Sequence, residues 1–200
     1  AGPRGAPRLI AMAGIRLHQI GQPGAQASAA TFEQPFEMLT ACHERVDRML
    51  RLLDRLCQHL EAKGLDEQAA QAARDVMRYF DLAAPDHHED EERHVFPRLL
   101  AGNDENVKTV VRRLQQDHRD MTVNWGEARE VLRRVSEGSV PTWSALSETD
   151  RATLARFAGL YADHIRAEED VVYPAASALI DAPELQRMGT EMAARRTARP

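Results

Sequence analysis

Three observations predict an all-α protein, an up-down-up-down antiparallel four-helix bundle with a short C-terminal helix. Apolar residues recur at steps of three and four over four long stretches, no stretch alternates with period two, and the breaks between stretches are short. The first stretch carries Met38, Leu39, Cys42, Val46, Met49, Leu50, Leu53 and Leu56, the stripe of an amphipathic helix that stops near Gly64. Asp66 has the side chain to cap a second helix through Ala69, Ala73, Val76, Met77 and Phe80. Pro85 lacks a donor and crowds the preceding turn, so a kink is expected there, with the helix resuming to Leu100. Asp104 opens a third helix through Val107, Val110, Val111, Leu114, Met121, Trp125, Val131 and Val135, ending at Gly138. After a loop containing Pro141, Ser147 and Asp150 stand at capping-box spacing and open a fourth helix to about Ile180. Pro183 then starts a short, mostly polar helix.

The chain divides into a flexible arm over residues 1–33, rich in Gly, Ala, Pro and Gln, a bundle over 34–181, and a tail over 182–200. Its 200 residues suit one domain, and 43% hydrophobic with 28% charged residues is globular composition. A net charge of −5 and a pI near 5.9 argue against nucleic acid, whose phosphates need a concentrated basic face. No apolar run approaches the ~20 residues of a spanning helix, and no secretory leader pattern is present, so the expected location is cytoplasmic. Cys42 and Cys57, with no CxxC pair, are too few for a disulfide framework or a thiolate zinc site.

The second and fourth helices contain one phrase twice, His87-His88-Glu89-Asp90-Glu91-Glu92 through Phe96-Pro97 and His164-Ile165-Arg166-Ala167-Glu168-Glu169 through Tyr173-Pro174. The first and third helices each offer one comparable histidine, His43 and His118. The steps of 44 residues from His43 to His87 and 46 from His118 to His164 make the chain two similar helix hairpins. Residues at i and i+4 lie about 40° apart on a helix and about 6 Å along it, so each His and Glu point the same way from neighbouring turns. Four imidazoles and two carboxylates without a thiolate suit an ion with more than four coordination positions, and iron fits that better than zinc. Two ions fit better than one. If Glu91 and Glu168 each bridge, each iron receives two histidines and two carboxylate oxygens, leaving room for an oxo or hydroxo bridge and an exogenous ligand.

From about Phe36 to Ile180 the chain resembles the hemerythrin-like (HHE cation-binding) proteins, including the phrase Ala41-Cys42-His43-Glu44-Arg45 and both HxxxE units. The resemblance implies a non-haem di-iron centre, ligated by His43, His87, Glu91, His118, His164 and Glu168, that takes a small diatomic or peroxide ligand. Oxygen-carrying members add a histidine four residues after the third-helix one, where Thr122 stands, and end the fourth-helix pair with Asp at i+5, where Glu169 stands. The four-His, two-Glu set looks like the bacterial branch that includes di-iron repair proteins for iron-sulfur clusters. Those carry a Cys-Cys pair that this sequence does not contain. The leading expectation is a module that binds O2 or senses O2, NO or redox state. The alternative is an enzyme acting on nitric oxide or peroxide, or donating iron to damaged clusters. The sequence leaves the oligomeric state open.

For the remaining polar residues the expectations are structural. His88, about 100° from His87 on the helix, faces solvent or backs another ligand, and His94 returns to the face of His87 about 10 Å away for packing or a hydrogen bond. Apart from Glu91, the run Glu89 to Glu92 is read as a solvated face, and His18 and His59 as surface groups. Trp125 is read as an apolar pocket wall or plain core, and Tyr161 as a hydrogen-bond partner of a bound ligand or plain core. Any contact of Asp86, Asp117 or Asp163 with a ligand histidine must cross to another helix.

Overall fold

A computed structural model describes residues 31–138 and 145–197. The described residues are helical with no strand, and five helices follow in the expected order. The first spans Pro35–Lys63, with Pro35 at its opening turn where a missing N–H costs nothing. It ends at Gly64, whose φ of +78° lies in the region that favours glycine, and whose N–H donates to the Leu60 carbonyl. Asp66 caps the second helix by accepting from the Ala69 N–H at 2.9 Å. This helix continues over residues 67–100 without a break at Pro85.

Asp104 accepts from the N–H groups of Asn106 and Val107 to cap the third helix, Glu105–Glu137. The Ser147 and Asp150 capping box is complete, each side chain accepting from the other's backbone N–H. The fourth helix follows over residues 148–177, with one break in the ladder at Leu160. It stops slightly before the expected Ile180, and Pro141 and His18 lie outside the described residues. Neighbouring helices pack in sequence order, and the fourth returns to the first.

The fifth helix, Ala182–Thr197, is the expected C-terminal helix, and though mostly polar it docks on the bundle. Met188 and Met192 are fully buried against the end of the bundle. A Cβ on Gly189 would stand 1.8 Å from the Phe32 carbonyl oxygen, so only glycine lets the two segments meet there. Arg196 lies over the Phe32 ring at 5.3 Å, which ties the last residues of the predicted arm to this helix.

Two apolar clusters fill the bundle. One holds Val46, Leu53, Met121 and Phe157, and the other Leu39, Phe96, Leu114 and Val172. His43 falls between Leu39 and Val46 on its stripe, and His118 between Leu114 and Met121. The polar residues therefore form a layer between the two clusters, removed from water. Burying that many ionisable groups is costly unless they satisfy one another or hold cations.

Both HxxxE phrases end in a widened turn. Residues Glu91–Val95 and Glu168–Val172 are π-helical, closed by Phe96 N–H to the Glu91 carbonyl and Tyr173 N–H to that of Glu168. The prolines that follow, Pro97 and Pro174, have no N–H and would crowd a regular ladder, which the extra residue opens. On a regular helix the aromatic nine positions after the histidine would lie roughly 180° away from it. The inserted residue swings Phe96 and Tyr173 back onto the polar layer.

Candidate metal centre

The structure brings all six predicted ligands together. His43, His87, His118 and His164 are each at most 5% exposed, and Glu91 and Glu168 are fully buried. They form two groups of four, His43, His87, Glu91 and Glu168, and Glu91, His118, His164 and Glu168. In the first group His43 Nε2 lies 3.0 Å from His87 Nε2 and 3.1 Å from Glu168 Oε2, and His87 Nε2 lies 3.6 Å from Glu91 Oε1. In the second, His118 Nε2 lies 3.4 Å from Glu91 Oε2 and 3.8 Å from Glu168 Oε1, and His164 Nε2 lies 2.9 Å from Glu168 Oε1. Each carboxylate thus presents one oxygen to each group.

The donor set fits a pair of cations. Ligands at right angles on one ion with bonds of about 2.1 Å stand roughly 3 Å apart, close to these spacings. His118 Nε2, His164 Nε2, Glu91 Oε2 and both Glu168 oxygens are buried without a hydrogen-bond partner among the described residues. Natural folds rarely leave so many polar atoms unsatisfied in one place, and a cation between them would supply the missing partner.

The outer nitrogens of three of the four histidines are held by carboxylates from other helices. His43 Nδ1 pairs with Glu169 at 2.8 Å, His118 Nδ1 with Glu92 at 3.1 Å, and His164 Nδ1 with Asp117 at 3.2 Å. These contacts fix ring orientation and raise ligand basicity. Glu92 is therefore not on a solvated face. Neither is Asp90, fully buried and ion-paired with Arg195 and Arg196 of the fifth helix. His59 is buried as well, 2.9 Å from Asp66. His94, displaced by the widened turn, lies 3.5 Å from Glu191 of the fifth helix instead of returning to the face of His87.

The aromatic residues at i+9 stack on the ligands of neighbouring helices. Tyr173 stacks on His43 with centroids 5.6 Å apart, and Phe96 on His118 at 5.5 Å. The Tyr173 hydroxyl lies 2.5 Å from Glu91 Oε1 and 3.2 Å from His43 Nε2. The repeated aromatic-Pro pair was the signal for this residue, hidden because regular helical geometry turns it away. A cleft of about 550 Å³, lined by Phe36, Thr40, Glu44, Glu169 and Tyr173, approaches the same side. Tyr161 packs among Phe80 and Phe157, and Trp125 packs there too while its indole N–H donates to Asp81.

Electrostatics match a layer waiting for positive charge. Burial opposes protonation of His43, but the Glu168, Glu91 and Glu169 carboxylates outweigh it and raise its pKa to about 9. The same balance, with Glu168, Glu91 and Glu92 as partners, lifts His118 to about 11. Burial resists ionisation of Glu168, and the neighbouring imidazoles of His118, His164 and His43 override it, holding the carboxyl well below its ordinary range. Glu91 is pushed up by burial and the Glu168 charge. Burial also keeps His87 and His88 well below the usual imidazole value, and the charge of nearby histidines adds to it. Burial raises the Cys42 thiol and pushes Cys57 to about 11; both are free and suit packing better than redox chemistry.

Among the described residues no helix is long and apolar enough to cross a membrane. The chain is 32% identical to a Haemophilus influenzae protein, described as an uncharacterized protein, over 168 residues that cover 84% of this chain and 92% of that one. The model of the hemerythrin HHE cation binding domain matches residues 34–176, which take in the four bundle helices up to the last residue of the fourth and every residue of both four-ligand groups. With the twofold repeat, the buried His/Glu layer and that match in hand, the chain belongs to the hemerythrin HHE cation-binding family.

Proposed function

We propose that His43, His87, Glu91, His118, His164 and Glu168 hold two iron ions, and that the pair binds O2 or senses O2, NO or redox state. The observation that carries this reading is the division of the two buried carboxylates, one oxygen of each facing each histidine pair. Iron held there would supply reversible one- and two-electron chemistry toward a small ligand. The chain's own groups do the rest. Glu169, Glu92 and Asp117 fix three imidazoles in the orientation that aims Nε2 inward. The apolar clusters on either side exclude water, and the Tyr173 hydroxyl is a buried donor directed at the His43 side, where the cleft approaches. The reading includes a cytoplasmic setting, supported by two free cysteines.

The test is protein purified from iron-supplemented cells. Two irons per chain with the ultraviolet–visible bands of a bridged ferric pair are expected, and a colourless protein without iron after reconstitution sinks the reading. A second reading, turnover of nitric oxide or peroxide at the same pair, is favoured by the Tyr173 hydroxyl as a proton source. Sustained consumption of either substrate, measured against a Tyr173→Phe variant, separates the two.

A further inference from the structure

We infer that His88 is a fifth imidazole ligand, on the side of His118 and His164. The inference rests on the two-iron reading above and concerns one residue outside its ligand set. His88, His118 and His164 form a third group whose ligating atoms all lie within 4.8 Å of one another. The His88 ring stacks on that of His118 with centroids 4.0 Å apart and planes at 14°, and it lies 6.2 Å from the His164 ring. His88 also shares the wall of a pocket of about 230 Å³ with Thr122, Met121 and Trp125. Thr122 is one turn beyond His118 on the third helix, and its hydroxyl is engaged with the His118 carbonyl, so it offers no ligand inward. A histidine at position 122 would project toward this same region. His88 approaches it from the second helix, because the residue after His87 is rotated by about 100° toward the third helix.

Stacking and ligation are alternatives for this ring, since two imidazoles stacked face to face 4.0 Å apart do not both aim a nitrogen lone pair at one ion. Ligation turns His88 out of the stack by rotation of its side chain, toward an ion whose other protein ligands are His118, His164, Glu91 and Glu168. That ion then has three imidazoles and no open position once the bridge is counted. The ion on the side of His43 and His87 has two imidazoles and one open position, beside the Tyr173 hydroxyl.

The test uses the full chain reconstituted anaerobically with two equivalents of ferrous iron, oxidised, and titrated with azide. Wild type should bind one azide per pair and show two inequivalent iron sites by Mössbauer spectroscopy. His88→Phe, which keeps a ring for stacking but has no nitrogen, should bind two azides and lose the inequivalence. His88→Gln guards against a packing defect in the Phe variant, with helicity checked by circular dichroism. Adding Thr122→His to His88→Phe should restore one azide and two distinct sites, because the missing imidazole returns from the third helix. Unchanged azide stoichiometry and spectrum in both His88 variants, with two irons retained, overturns the His88 assignment alone. Wild type that takes up no iron pair overturns the two-iron reading and this inference with it.

Discussion

The two halves of the polar layer are built from the same repeated phrase and are not alike. On the side of His118 and His164, both imidazoles have a carboxylate on Nδ1, Phe96 stacks on His118, and His88 covers the approach. On the side of His43 and His87, only His43 has such a partner, Tyr173 replaces the phenyl ring with a phenol, and a cleft approaches. His87 Nδ1 is buried without a partner among the described residues. The cause is one residue. Asp117, just before His118, reaches His164, whereas the corresponding position before His43 is Cys42, which has no carboxylate to offer His87. Ile165 stands where His88 stands in the other half. The repeat sets the His/Glu residues in pairs, and three differences against that background close one half and leave the other beside a cleft.

The largest test of this comparison removes what the halves share. Glu91→Ala or Glu168→Ala takes an oxygen from both groups and leaves two cations without its charge, so iron affinity should fall by more than about 100-fold. Iron per chain after desalting measures it, and two irons retained in both variants would contradict bridging. His94→Ala, outside the layer, should keep its iron.

Acid competes at both halves. Because His43 and His118 have raised pKa values, of about 9 and about 11, both hold protons at pH 7 before the metal enters. Metal needs their neutral form, so loading releases protons, and apparent affinity should rise with pH toward 9 and flatten in part above it. The two histidine protons give a slope of about 100-fold per pH unit between pH 7 and 8, and Glu91, whose carboxyl is raised to about 7, steepens it below that. A competition titration with a chelator at several pH values reads the slope, and a flat profile would remove the linkage.

Glu92→Gln and Glu169→Gln separate the halves. Each weakens orientation of one histidine, His118 or His43, and should cost about 10-fold in metal affinity. Under the asymmetry described above, Glu169→Gln should broaden or shift the spectroscopic signature of one site and Glu92→Gln that of the other. Identical spectra for the two variants would mean the halves are equivalent.

The smallest effect is expected from Tyr173→Phe, which copies Phe96 of the opposite half. Iron content should be unchanged, and azide affinity should fall about 10-fold through loss of one buried hydrogen bond near the open side. Unaltered azide binding would assign the hydroxyl to support of Glu91 alone.

By itself the sequence determined the elements and the six inward-facing residues. Caps at Asp66, Asp104 and Ser147 act within one turn, the stripe through Leu39, His43 and Val46 follows from helical period, and His at i with Glu at i+4 share a face on any helix. These are local relations, fixed before any helix meets another. The tertiary structure decided the contacts that cross between helices. Glu92 and Glu169 diverge from the ligands of their own helix and meet His118 and His43 only once the bundle is packed, so along one helix they look like solvated charges. Phe96 and Tyr173 reach the layer because a widened turn, opened ahead of a proline, rotates everything beyond it. The fifth helix, polar in composition, is held by two buried methionines, a glycine against the Phe32 carbonyl and two arginines on Asp90, a fit that depends on the surface it meets. Local periodicity specifies which face a residue occupies; what lies opposite that face depends on how the helices pack.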